Sequence, residues 1–512
     1  MHSGDGEGAA MPRLRRNDRP RAAPATGGRT HASGLGVDPA YAGATQYDEL
    51  FLPDGSPREH YAQLMTTLAG LPRDEILARV KSIDTMLLQR GVTFTVYAEA
   101  SGTERVFPFD VIPRILTAAE WDRIDRGIVQ RVRALNAFLH DVYHDERILR
   151  ERRIPRELVY SSKSFCAEMI GVDVAGGVYV HVSGIDLIRD ENGTFLVLED
   201  NCRSPSGISY VLENRTVLKR GFPDMFRNYE VCPVDDYPSR LLRVLRHCAP
   251  AGVSQPNVVV LTPGIHNSAY FEHTLLARRM GVELVEGRDL IVVDNVAYVR
   301  TTHGLERVDV IYRRIDDDYL DPLYFHAEST LGVTGLMNAY RAGKVTLANA
   351  IGTGVADDKA LYPYVPEMIR FYLGETPLLE NVLTFDCTDD VQRRHVLDNL
   401  DKFVVKNVNA SGGYGMLMGA FASAAERTLF AALVAERPRD FIAQPTIQLS
   451  SAPTLIDGRL SPRRVDLRPF ALLSDSVEVP RAALTRVALR EDSLVVNSSQ
   501  GGGSKDTWVL QA

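Results

Sequence analysis

Three groups of residues have the types and spacing that chemistry needs. Asp186, Glu199 and Asn201 lie in GIDLIRDENGTFLVLEDN, and Glu199 and Asn201, two apart on a strand, share one face. Two carboxylates and an amide oxygen are hard donors suited to magnesium on nucleotide phosphates; acid pairs on hairpins are also solvated faces, and spacing leaves both readings open. Arg203, in the following RSPSG, can meet a phosphate oxygen through two N–H groups. The second group is SGGYG (Ser411, Gly412, Gly413, Tyr414, Gly415), between two strand patterns, with Lys406 ahead of it. A glycine-rich turn can lay backbone N–H groups against phosphates, because only glycine lets the backbone approach that closely; a plain hairpin turn reads the same. The third, GGGSKDT (501–507), is not a Walker A loop, since Asp506 follows its lysine and the preceding glycine is missing.

These groups need elements to hold them. The spacing predicts a hairpin over 176–200, turning at ENG. It predicts a helix over 74–90, capped by Gly91, and a longer one over 118–143, striped by Trp121, Ile124, Ile128, Val132, Leu135, Leu139 and Val142. An apolar strand at 257–262, a helix at 268–280 and a strand in VELVEG form a β-α-β unit of doubly wound type. His266, Asn267, Tyr270 and Glu272 sit at the strand's carboxyl end, where such layers bind ligands; an ordinary N-capped helix is the equal alternative. YRRIDDDYLD (312–321) is a solvated turn or, through Arg313, Arg314 and Asp316, a cleft wall. The last third alternates strands and a helix near 423–436.

The chain has 512 residues, 45% hydrophobic and 24% charged, which is globular composition and suggests roughly three domains. Its net charge of −8 argues against a general nucleic-acid binder. Five scattered cysteines without a C-x-x-C point to a reducing cytoplasm. The sequence leads us to expect neither a transmembrane helix nor a signal peptide. Residues 1–36, rich in Gly, Ala, Pro and Arg, read as a disordered arm: a polyanion-binding tail, a solvated leader or a misassigned start.

Taken together, LEDNCRSPSGISYVLENR, YRRIDDDYLDP, NAIGTGVADDKALYPYVPEMIRFYLGE, VVKNVNASGGYGM, VDLRPF and VVNSSQGGGSKDTWVL resemble the circularly permuted type 2 ATP-grasp proteins, which are related to glutathionylspermidine synthetase. The E-x-N pair precedes both lysines, the permuted order. The resemblance implies an α/β (α+β) ATP-grasp fold with a pre-ATP-grasp doubly wound α/β layer. It divides the chain into the arm, a helical region with the permuted metal-binding lobe (37–230), a pre-ATP-grasp-like substrate domain (231–350) and a nucleotide-binding lobe (351–512). It implies ATP and magnesium as cofactors. Asp186, Glu199 and Asn201 match the metal ligands. Lys359 and Lys406 match the ATP lysines, and Ser411 to Gly415 the phosphate lid. Phe441 to Thr446, including Gln444, Pro445 and Thr446, match the adenine hinge. Arg203, Arg468 and Arg486 match groups that stabilise the transferring phosphoryl, and Asn497 and Lys505 further nucleotide contacts. His266, Asn267, Tyr270, Glu272, Arg313, Arg314 and Asp316 are candidate substrate contacts. Two places depart from the family pattern: PRAA (480–483) replaces a glycine-rich turn, and Cys202 stands where a larger aliphatic is common. Cys202 is a redox-sensitive thiol or a small buried residue.

The implied activity is a carboxylate–amine ligase working through an acyl phosphate, on small-molecule or peptide substrates. A transglutaminase-like or helical protein is a candidate partner; nucleic acid and membrane are not expected. The alternatives are a non-catalytic ATP-binding partner protein and a small-molecule kinase.

Overall fold

The longest helix shows how the sequence builds the scaffold. Thr117 starts it with a reciprocal capping box: its hydroxyl accepts from the Glu120 N–H, and the Glu120 carboxylate accepts from the Thr117 N–H. Ala118–Tyr143 then buries all seven residues of the expected stripe. Each such side chain contributes about 1.5–3 kcal/mol. The computed structural model describes residues 35–38, 46–96, 103–409, 415–490, 496 and 502–512. Residues 1–34, expected as an arm, and Ser411, Gly412, Gly413, Tyr414 and Asn497, expected at the nucleotide, fall outside the described residues.

A large mixed sheet runs in the order Glu380–Asn381, Phe195–Asn201, Val182–Arg189, Arg459–Leu473, Ala483–Val487, Gly503–Val509, Phe109–Leu116. The predicted hairpin is its centre. It begins at Val182, later than expected, and Asp190 organises its turn by accepting from the N–H groups of Asn192 and Thr194. Every residue of Val182–Arg189 is buried, because the strand is covered on both faces. Gly36–Val37 pairs with Arg459 and Leu460, so ordered pairing begins within the stretch read as an arm.

The β-α-β unit is a four-stranded parallel sheet, in the order Thr346–Ala348, Val310–Arg313, Val258–Leu261, Glu283–Val285. Its helix spans Tyr270–Met280 and ends at Gly281, whose φ of 69° is left-handed. A second four-stranded sheet, antiparallel, is ordered Phe385–Asp386, Phe441–Pro445, Phe403–Asn407, Met416–Met418. Ala424–Glu436 follows it, opened by a Ser423–Glu426 capping box. No helix among the described residues is long and apolar enough to cross a membrane.

Two histidines are buried and neutral. Burial, with Arg313 nearby, pushes the His181 imidazole down to about 3; burial, with Arg314, pushes His273 down to about 2. Below pH 6.5 the unfolded chain binds protons at both that the folded chain does not. Stability is therefore full above that pH and falls as pH drops, by about 1.4 kcal/mol per unit for each histidine, or about 4 kcal/mol for both at pH 5. Urea unfolding at pH 7 and pH 5 checks this. His181→Leu should reduce the slope by about half; equal wild-type stability at both pH values would contradict the assignment.

Candidate active site

Strand register builds the site from distant parts of the chain. Asp186 lies directly opposite Glu199, and Gly184 opposite Asn201. On the next strand, Leu467 faces Leu187, which sets Arg468 beside Asp186, with Asp466 two residues along the same face. Asp466 in turn faces Arg486. Arg468 donates through Nε and Nη2 (2.7 Å) to the two oxygens of Asp186. Arg486 Nη2 bridges Asp186 Oδ2 (2.7 Å) and Asp466 Oδ2 (2.5 Å). Burial opposes ionisation of Asp186, but the two guanidiniums outweigh it and hold the carboxyl below its usual range. Burial raises Asp466 despite Arg486.

Glu199 projects from this network into a cavity of about 400 Å³. Its carboxylate lies 3.6 Å from Lys359 Nζ and 3.9 Å from Arg468 Nη2. Lys406 comes from the antiparallel sheet, where it pairs with Ile442. Burial and the nearby Lys359 push its ammonium down to about 8, against the pull of Glu199. Arg203 also lines the cavity; its Nε meets Asp357 Oδ2 at 3.1 Å and its Nη1 lies 3.7 Å from Asp316. Asp357 also accepts from the N–H groups of Cys202 and Arg203, and burial raises it to about 6.

The donor set fits a hard cation. Asn201 Nδ2 donates to Gly184 O (3.1 Å), leaving its Oδ1 uncommitted among the described residues. Glu199 is half-buried with neither cation within hydrogen-bond distance. Asp186 accepts three N–H groups and retains one lone pair. Among the described residues, no cluster of three or more His, Cys, Asp or Glu is placed to hold a metal, so the amide oxygen is part of the fit.

Other candidates are placed elsewhere. Lys505 is fully buried on the Gly503–Val509 strand, where its ammonium contacts the Asp110 carboxylate and donates to Ile112 O (2.9 Å) and Pro453 O (2.8 Å). The Glu272 carboxylate accepts from Gly207 N (2.7 Å) and Ser209 N (3.0 Å) and pairs with Arg314 at 3.2 Å. Arg314 reaches Pro205 O (2.9 Å) and Ser206 Oγ (2.7 Å). Arg313 is spent on Asn349 O, Ile315 O, Ala350 O and the Asp317 carboxylate. These three charged residues brace the loop after Asn201 and its neighbours. His266, Asn267 and Tyr270 do not line the cavity; Asn267 Oδ1 accepts from Ala269 N (2.9 Å) ahead of the helix. Gln444 is buried with Nε2 on Thr384 Oγ1 (2.9 Å), Pro445 pairs with Phe403, and the Thr446 N–H donates to Lys402 O (2.9 Å). Gly415 has φ 65° and opens the Met416–Met418 strand.

The two departures also have places. Pro480 and Arg481 lead into the strand that carries Arg486, with Arg481 tied to Asp122 at 3.0 Å. Burial pushes the Cys202 thiol up, as expected of the small buried residue. Sequence reasoning missed Asp357 and Asp466. Both stand two residues from a candidate, in VADDK and VDLRPF, but nothing local marks them as partners.

A glutathione synthetase-like effector from Globodera pallida, solved in apo form, has the same fold: TM-score 0.57 at 11% identity, over 86% of this chain and 98% of that one. The family model for circularly permuted ATP-grasp type 2 matches residues 113–488, and the chain belongs to that family. An uncharacterised Synechocystis sp. protein is 54% identical over 91% of this chain and 97% of its own. A Mycobacterium tuberculosis protein is 52% identical over 96% and 89%. A Frankia casuarinae protein, provisionally named glutamate–cysteine ligase 2-2, is 42% identical over 91% of this chain but 54% of its own, so the chain spans about half of that relative.

Proposed function

We propose that the protein is an ATP-dependent carboxylate–amine ligase that activates its acid substrate as an acyl phosphate. The observation that carries this is the approach of Lys359 and Arg468 to Glu199 at a cavity that Arg203 also lines, with Lys406 close enough to feel the same charge. Family membership and the name of the Frankia relative support the reading.

In this reading Lys359 and Lys406 neutralise the phosphate chain, and Glu199, Asn201 and Asp186 hold magnesium. Bound there, magnesium supplies charge neutralisation to the nucleotide. Arg468, fixed by Asp186, and Arg203, fixed by Asp357, face the phosphoryl group as it passes to the substrate carboxylate. Positions set in advance cost little reorganisation during transfer. An amine attacks, an amide forms, and ADP and phosphate leave. The five cysteines are free and buried, which accords with a cytoplasmic setting.

The test is product analysis: magnesium-ATP with pools of amino acids, peptides and polyamines, following ADP and new amide masses. ADP released with an amide product is the expected result. Tight ATP binding without ADP release from any pool would sink the ligase reading, and a stable phosphorylated product would make the protein a kinase.

A further inference from the structure

One wall of the cavity comes from a segment with no part in the site so far. Lys163, Ser164, Phe165 and Cys166 line it. The segment is braced from both sides. Arg439 donates to Leu158 O (2.9 Å) and Ser161 Oγ (2.8 Å), and the Phe165 ring stacks on Tyr143 with centroids 5.4 Å apart. Gly354 lets this wall close on Arg203. A Cβ there would lie 2.7 Å from both Arg203 Cδ and Ser164 Cβ, so any larger residue would push them apart.

Three cations line the cavity, Lys163, Arg203 and Lys359, and a fourth, Lys406, lies close by. Lys406 and Lys359 interact with each other and with Glu199. Arg203 flanks Gly354 together with Ser164, the chain neighbour of Lys163. Their counter-charges differ. Lys359 faces Glu199, and Arg203 faces Asp357 and Asp316. Lys163 has no ion-pair partner among the described residues, and it is exposed. An anion arriving at Lys359 or Arg203 competes with a carboxylate already present. At Lys163 it displaces none, and little desolvation opposes it.

We propose that Lys163 is a further phosphate-binding residue, reading the terminal phosphate of the nucleotide from the wall that packs beside Arg203. This rests on the ATP reading above. Isothermal titration of the full chain with magnesium and either ADP or the nonhydrolysable triphosphate AMPPNP tests it. Lys163→Ala should weaken AMPPNP about tenfold, the worth of one charge-assisted hydrogen bond, while ADP stays within about twofold. Lys163→Arg should restore most of the loss. Unchanged AMPPNP affinity, or equal loss for both nucleotides, would overturn the proposal alone. Wild-type protein that binds neither nucleotide would overturn the ATP reading, and this inference with it.

Discussion

Glu199→Ala is expected to cut magnesium-dependent ADP release by at least about a thousandfold, equivalent to about 4 kcal/mol of transition-state stabilisation. The side chain is half-buried and, among the described residues, comes no closer to a cation than 3.6 Å from Lys359, so the fold has little to lose. The site loses more. In the ligase reading it loses a donor for magnesium, and Lys359, Lys406 and Arg468 lose the carboxylate they share. The Glu199 charge favours the protonated Lys406 ammonium, so its removal also weakens that cation. Glu199→Gln keeps the shape and loses the charge, and the same fall is expected. Thermal melts alongside the turnover assay separate chemistry from folding. Normal turnover in a folded Glu199→Ala protein would refute the metal assignment.

Lys505→Met should act the opposite way, on stability and not on the nucleotide. The ammonium is enclosed with Asp110 and two backbone carbonyls, and burial lowers its pKa while Asp110 holds it up. Removing it strands the Asp110 carboxylate, which has only the N–H partners such as Leu455 N (2.8 Å) left. Breaking a buried pair from one side costs about 3–5 kcal/mol. AMPPNP affinity of the protein that remains folded should match wild type. Replacing both partners, Asp110→Leu with Lys505→Met, should recover much of the stability, because no charge is then left unpaired. Lost nucleotide affinity with unchanged stability would put Lys505 in the nucleotide site instead.

These two residues show where sequence reading works and where it stops. Glu199 and Asn201 were legible because two residues on one strand share a face whatever the strand packs against. Lys359, Lys406 and Arg203 were legible as chemical types inside long, specific segments. The amphipathic helix at Ala118–Tyr143 was legible because its stripe and capping box are both local. Lys505 had the same type and a glycine-rich neighbourhood, yet the strand that carries it turns its ammonium into the core. Glu272, Arg313 and Arg314 resemble substrate contacts by position, and their partners are backbone groups of loops far along the chain.

The sequence by itself determined the family, the permuted order of its motifs and the residue types proposed to hold phosphate and magnesium, since these depend on residue type and short spacing. Tertiary structure alone decided which charges meet. Asp186 and Arg486 are 300 residues apart, and Arg203 and Asp357 are 154 apart. Such pairs are set by strand register and loop closure, which place a side chain by the packing of whole sheets and leave no mark in the residues beside it.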